Sequence, residues 1–174
     1  MKPMMKPVLK TILMLFLFAF CADPVFAKAP EPKRAMRPNT SLYIPMRDGV
    51  RLAVDLWIPV DGAPAGRMPT VMETTRYWRA NSKGPKRSAT QRAFNARGYA
   101  YMIIDARGSG ASFGHRKMEW SPDKVADRRD VVESIVTRTW SNGKVGGVGT
   151  SYSGNTAELL AATGHPAVKA VAPL

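Results

Sequence analysis

From residue 41 onward, short apolar runs alternate with stretches in which hydrophobic residues recur at helical spacing, and glycine, proline or charge separates them. Residues 41–45 and 51–59 predict a hairpin around Asp48-Gly49, a strong short-range turn signal. In its second arm Val54, Leu56 and Ile58 alternate with Asp55 and Trp57, which predicts one face toward the core. A strand over 70–75, a basic segment through Arg92, a short helix ending at Arg97 and a strand over 100–104 follow. Ser121-Pro122-Asp123 opens the best-defined helix: the serine can accept free backbone N–H groups and proline fits the first helical position. Val125, Val132, Ile135 and Val136 form its expected inner stripe, with Lys124, Arg128 and Arg129 facing away. The apolar run 144–148 predicts a buried strand, 155–163 a helix rich in leucine and alanine, and 167–173 a last strand. Strands alternating with helices behind an antiparallel first hairpin predict an α/β fold with a mostly parallel sheet.

The beginning of the chain has a different pattern. Lys2, Lys6 and Lys10 precede an apolar run of about twelve residues, 11–22, and Val25-Phe26-Ala27 offers a small-residue cleavage site before Lys28. Twelve helical residues span roughly 18 Å against a hydrocarbon core of about 30 Å. Residues 1–27 therefore predict a cleaved signal peptide and no stable membrane anchor, with export to the periplasm or the extracellular medium. Cys21 is the single cysteine, and the bulky Phe20 before it is unsuited to a lipid-modification site, so the mature chain is expected to have no disulfide. Residues 28–40, rich in proline, lysine and arginine, read as a flexible tether, which leaves 41–174 as the domain. The 147 residues after the leader are only about half of the roughly 250 that a complete domain of this class can need. The strand over 167–173 also ends without its following helix, so the expectation is a fragment of a longer protein or a truncated gene product.

Charge changes this picture little. The net charge is +13, and removing Lys2, Lys6, Lys10 and Asp23 with the leader leaves about +11, enough to attract phosphate polymers at low salt. The charge is spread over Arg76, Arg79, Lys83, Lys86, Arg87, Arg92 and Arg97 without a binding motif, so no specific nucleic-acid partner is expected. No metal-ligand cluster and no cofactor motif is present, and the oligomeric state is open.

Candidate chemistry is concentrated at Gly149-Thr150-Ser151-Tyr152-Ser153-Gly154, between the buried strand and the helix. A sharp strand-to-helix turn lifts a serine out of the sheet in a strained conformation, and the backbone must pass close by. Gly146, Gly147, Gly149, Ser153 and Gly154 are small enough for this. The hydroxyl of Ser151 then lies near the positive end of the helix, where the backbone N–H of Tyr152 is placed to stabilise an oxyanion. The segment departs from G-x-S-x-G because its glycine comes one place late, and read alone it also suits a glycine-rich turn of another α/β protein. A dinucleotide fingerprint fails at Tyr152, and a phosphate loop fails because Val145 follows Gly143-Lys144.

Together with Met46-Arg47-Asp48-Gly49-Val50-Arg51-Leu52 and Asp105-Ala106-Arg107-Gly108-Ser109-Gly110-Ala111-Ser112, this turn resembles the Xaa-Pro dipeptidyl-peptidase and cocaine-esterase-like (CocE/NonD) family over about residues 40 to 174. In that family the turn is written G-x-S-Y-x-G, which 149–154 satisfies. The resemblance implies the N-terminal part of an α/β-hydrolase fold and a Ser, Asp, His triad with Ser151 as nucleophile. It further implies that Tyr152 gives an oxyanion-hole N–H and that Tyr77, on the loop after an early strand, donates its hydroxyl to the oxyanion.

Asp105 and Arg107 read as scaffold held by a structural ion pair, since a triad acid follows the nucleophile in this fold. After Ser151 the chain has one carboxylate, Glu158, two turns down the helix, and one histidine, His165, in the connection beyond it; His115 comes before Ser151. None makes a credible triad partner, so the acid and base are expected outside this stretch. The expected function is a secreted serine hydrolase acting on a small-molecule ester or peptide through an acyl-enzyme on Ser151. A noncatalytic remnant and a basic surface-binding module stay open as alternatives.

Overall fold

The computed structural model describes residues 40–59, 66–81, 84–85 and 88–174, all within the compact unit Pro32–Leu174. The predicted leader, and the tether up to residue 39, lie outside the described residues. The hairpin is β1 (Thr40–Pro45) and β2 (Arg51–Trp57), paired antiparallel, with Gly49 at the turn in the left-handed region at φ 79°. Then come β3 (Met68–Thr75), a short ribbon of β4 (Ala80–Asn81) and β5 (Gly84–Pro85), helix α1 (Ala89–Ala96), β6 (Ala100–Asp105), helix α2 (Pro122–Val136), β7 (Ser141–Gly149), helix α3 (Tyr152–Ala161) and β8 (Val168–Pro173).

Six strands form one sheet in the order β1-β2-β6-β3-β7-β8. β2 meets β6 antiparallel, and β6, β3, β7 and β8 run parallel, so the sheet is mostly parallel behind an antiparallel first hairpin. The chain steps from β3 to β6 on one side and then returns to place β7 on the other. This reversal leaves a crevice at the carboxyl ends of β3 and β7, where open α/β sheets bind ligands.

One face of the sheet carries Leu52, Val54, Met72, Met102 and Ile104, packed with Val131, Val132 and Ile135 of α2 and Leu160 of α3. The other carries Trp57, Val71, Tyr101 and Ile103, packed with Phe94 and Tyr99. Burial on both faces corrects the expected one-sided pattern of β2: Asp55 and Trp57 are fully buried. Asp55 tolerates this because Arg79 donates Nη1 to its Oδ1 at 2.8 Å and the Ser41 hydroxyl donates to the same oxygen. α1 presents a polar inner side, from which Asn95 donates to the carbonyls of Trp57 (3.1 Å) and Tyr99 (2.8 Å).

α2 also departs from expectation. Its buried stripe runs through Lys124, Asp127, Arg128, Val131, Val132 and Ile135, so Lys124 and Arg128 point inward while Arg129 is exposed. The second half of this stripe meets the apolar core. The first half lies beside the crevice, where polar partners exist: Arg107 donates Nε to Asp127 at 2.8 Å, and Arg128 donates Nε to the Thr156 carbonyl at 3.1 Å. Burial holds the Arg128 guanidinium down to about 10. Pro122 takes the first helical position, but the Ser121 side chain makes no capping hydrogen bond.

Candidate active site

At the end of β7 the chain turns into α3 through Ser151, whose φ of 58° and ψ of −122° are disfavoured for any residue with a Cβ. The turn is closed by backbone hydrogen bonds. Ser151 N donates to Leu174 O at 2.8 Å, Leu174 N to Gly149 O at 2.9 Å, and Asn155 N to Ser151 O at 3.0 Å. A Cβ at Gly149 would lie 2.3 Å from the Ser153 backbone, and one at Gly154 would lie 2.8 Å from Leu174 O. Glycine at these two places is therefore what lets β7, α3 and β8 close around the serine. Ser151 itself is exposed, at the amino end of α3.

Tyr152 is the first residue of α3, so its N–H has no partner within the helix and points with the positive end of the helix dipole. Its side chain is buried. Lys124 Nζ donates to its hydroxyl at 3.1 Å, and the Trp120 ring lies 5.3 Å away, centroid to centroid. Tyr77 follows β3 on the neighbouring strand end, and its ring meets Tyr152 edge-on at 6.0 Å. Tyr77 is 52% exposed, so core packing does not set its orientation. Ser151, Tyr152 and Tyr77 thus come from two adjacent strand ends. A cleft of about 320 Å³ opens beside them, lined by Thr75, Tyr77, Trp78, Gly149, Thr150 and Ser153 among others; Ser151 and Tyr152 border it in sequence but do not line it.

The turn that carries Tyr77 is also strained: Trp78 has a φ of 63°. Asp105 pins this turn by accepting from Arg79 N at 2.7 Å and from Ala111 N at 2.9 Å, and its carboxylate lies 3.6 Å from Arg79 Nε. Asp105 and Arg107 are each ion-paired as scaffold, though not with each other. Arg107 forks between Asp127, whose hydrogen bond does most to raise its pKa, and Asp48.

Glu158 is exposed on α3. His165 lies beyond the far end of α3, where its Nδ1 accepts from Ala167 N at 3.0 Å and its Nε2 meets Glu133 Oε1 at 3.0 Å. His115 is exposed on the loop after β6. Neither histidine is joined to Ser151 by a hydrogen bond among the described residues. Nor do the described residues group three or more His, Cys, Asp or Glu side chains as a metal site.

The site also contains side chains that sequence reasoning missed. Arg76 sits 5.2 Å from the Tyr77 ring centre and 5.1 Å from that of Tyr152, and it donates to Glu119 at 3.0 Å. Lys124 donates to the other oxygen of Glu119 at 3.1 Å. The spacing of Lys124, Asp127, Arg128 and Val131 on one helical stripe is the signal that points to buried Lys124 and Arg128; nothing local marks Glu119.

Residues 48–174 match the family described as X-Pro dipeptidyl-peptidase (S15 family). A Mycobacterium bovis protein provisionally named a serine esterase is 40% identical over 173 residues, covering 87% of this chain and 27% of its own length. The cocaine esterase of a Rhodococcus species is 36% identical over 137 residues, covering 77% of this chain and 23% of its own. Among solved structures, an α-amino acid ester hydrolase superposes with a TM-score of 0.69 at 27% identity, covering 88% of this chain and 28% of that one. A hydrolase of the CocE/NonD family from Staphylococcus aureus gives 0.65 at 25% identity, covering 79% and 27%. The chain spans about a quarter of the length of these relatives, and its fold is the N-terminal part of an α/β-hydrolase.

Proposed function

Because the chain belongs to the X-Pro dipeptidyl-peptidase (S15) family, we propose that it carries the nucleophile half of a serine hydrolase that cleaves a small ester or amide through an acyl-enzyme on Ser151. The observation that carries this reading is the positive φ of Ser151 at a strand-to-helix turn closed by Gly149 and Gly154. Such strain persists where the surrounding structure imposes it, and nucleophile turns are where it is used. In the proposed reaction Ser151 Oγ attacks the substrate carbonyl carbon while a base takes its proton. The oxyanion that forms is held by the Tyr152 N–H and the Tyr77 hydroxyl. Collapse of the intermediate breaks the ester or amide bond, and the base returns the proton to the departing alcohol or amine. Water then repeats the attack on the acyl-serine and releases the acid.

The base and its orienting acid belong, in this reading, to a further stretch of polypeptide. His165 is committed to Glu133 and Ala167 at the wrong end of α3, and Asp105 to the turn at Trp78. Incubation with a fluorophosphonate followed by peptide mass mapping tests the reading. In the protein that includes the stretch supplying base and acid, an adduct on Ser151 that disappears in Ser151→Ala is expected, and a folded protein of that length that takes no label refutes the reading. Export is proposed as well, on the basic start, apolar run and small-residue site of residues 1–27. A mature amino terminus at Lys28 is the expected result of sequencing, and a retained Met1 would refute it.

A further inference from the structure

Glu119 receives three cations. Its Oε1 accepts from Arg76 at 3.0 Å and lies 3.4 Å from Arg116 Nε, and its Oε2 accepts from Lys124 at 3.1 Å. Two of these cations go on to touch the two tyrosines of the candidate site. Arg76 lies over the rings of Tyr77 and Tyr152, 5.2 Å and 5.1 Å from their centres. Lys124, itself 2% exposed, donates to the Tyr152 hydroxyl and stands 5.5 Å from the centre of its ring. A continuous path therefore runs from Tyr77 through Arg76, Glu119 and Lys124 to Tyr152.

We propose that Glu119 is a positioning residue for acyl transfer: anchored by Lys124 and acting through Arg76, it aims the Tyr77 hydroxyl at the oxyanion that the Tyr152 N–H already faces. The proposal rests on the reading of Ser151 as nucleophile. Its physical basis is a difference between the two donors. The Tyr152 N–H is fixed by the start of α3 and by a buried ring, whereas the Tyr77 hydroxyl hangs from a half-exposed side chain on a turn. Donors stabilise a developing charge only when they are aimed before it forms. Arg76 packs over the Tyr77 ring, and Arg76 is itself 38% exposed at its side chain, so it needs an anchor in the body of the domain. Glu119 supplies that anchor because Lys124 ties it to buried α2.

Steady-state hydrolysis of p-nitrophenyl acetate by the protein that joins this chain to the stretch supplying base and acid tests this, with Ser151 labelling measured in parallel. Glu119→Gln is expected to lower kcat at least about tenfold with KM within about twofold, because the lost interaction acts in the transition state. Glu119→Asp should recover part of the loss, and Arg76→Gln should reproduce it from the other end of the path. In a Tyr77→Phe background, which has no hydroxyl to aim, Glu119→Gln should cost less than about threefold further. A plain structural tether would not show that dependence on a hydroxyl. Losses that multiply in the double variant, a Glu119→Gln effect confined to KM, or a wild-type rate in Glu119→Gln each overturn the proposal while Ser151 labelling stands. A wild-type chain that neither turns over nor labels removes the nucleophile reading, and the proposal with it.

Discussion

Ser151 and Trp78 are the two non-glycine residues with positive φ among the described residues, at 58° and 63°, and they follow the neighbouring strands β7 and β3. Their strain is held by opposite means. At Ser151 the constraint is backbone packing, with glycine at 149 and 154 allowing Ser153 and Leu174 to approach within a space no Cβ fits. At Trp78 the constraint is a buried carboxylate, since Asp105 on the next strand accepts from Arg79 N and Ala111 N and so ties two loops together. A Cβ at Gly110 would strike that carboxylate, which shows how tightly the second loop wraps it. One half of the candidate site is thus shaped by backbone packing and the other by buried charge, and they should fail under different perturbations.

Gly149→Ala attacks the first half. The new methyl meets backbone rather than a movable side chain, so the turn must open. The expectation is a destabilisation of about 3 kcal/mol in urea unfolding together with loss of Ser151 labelling. Gly146→Ala is the control, because its nearest neighbour, Ala170 O, is 3.3 Å away, and it should cost well under half as much. Equal effects at both positions would show that the turn is not the constrained point. Asp105→Asn attacks the second half. The amide keeps the volume but presents N–H to one of two N–H donors and leaves Arg79 with Asp55 alone, at an expected cost of about 2 kcal/mol. Amides of residues 76–79 and 109–112 should exchange faster in this variant while those of 149–154 do not, and uniform acceleration would contradict the division.

The same contrast explains what was legible in the sequence. The order of strands and helices, the hairpin and the turn at Ser151 follow from apolar runs and glycine spacing, signals contained in a few consecutive residues. The strand expected over 144–148 extends to Ser141–Gly149, and the helix expected over 155–163 starts earlier, as Tyr152–Ala161, because the turn feeds it directly. The charged part of the site was hidden. Lys124 and Arg128 read as an outward face because charge usually seeks water, and Asp55 read as the polar side of an alternating strand. Their partners are distant in sequence: Lys124 meets Tyr152, Asp55 meets Arg79 and Glu119 meets Arg76. Only the fold brings these pairs together, so no window of sequence reveals them.

Trp78→Gly tests whether the second turn is strained at rest. Trp78 is 61% exposed, so its removal sacrifices little packing, and glycine adopts the left-handed region freely. The backbone relief and the added freedom of the unfolded chain nearly offset each other, giving an expected net change within about 1 kcal/mol. A loss well beyond that would mean that the indole is held by contacts rather than merely tolerated.

Acid gives the smallest effect and separates the halves without a mutation. Burial pushes the Glu119 carboxyl up, but the hydrogen bond and charge of Lys124, with Arg116 and Arg76, outweigh it and hold the group below its ordinary value of 4.5. A carboxylate with a lowered folded value contributes stability that is complete above its unfolded value and is lost as pH falls through the folded one. The link from Arg76 to Lys124 therefore persists at pH 5 and above and weakens only on acidification below 4.5. Residues 149–154 include no side-chain carboxylate. Ring resonances of Tyr77 should shift as the pH is lowered from 6 to 3 while the amide resonances of Gly149 and Gly154 stay in place. If all of them moved together with one midpoint, the two halves would be a single cooperative unit, and the separation of backbone-held from charge-held strain would be wrong.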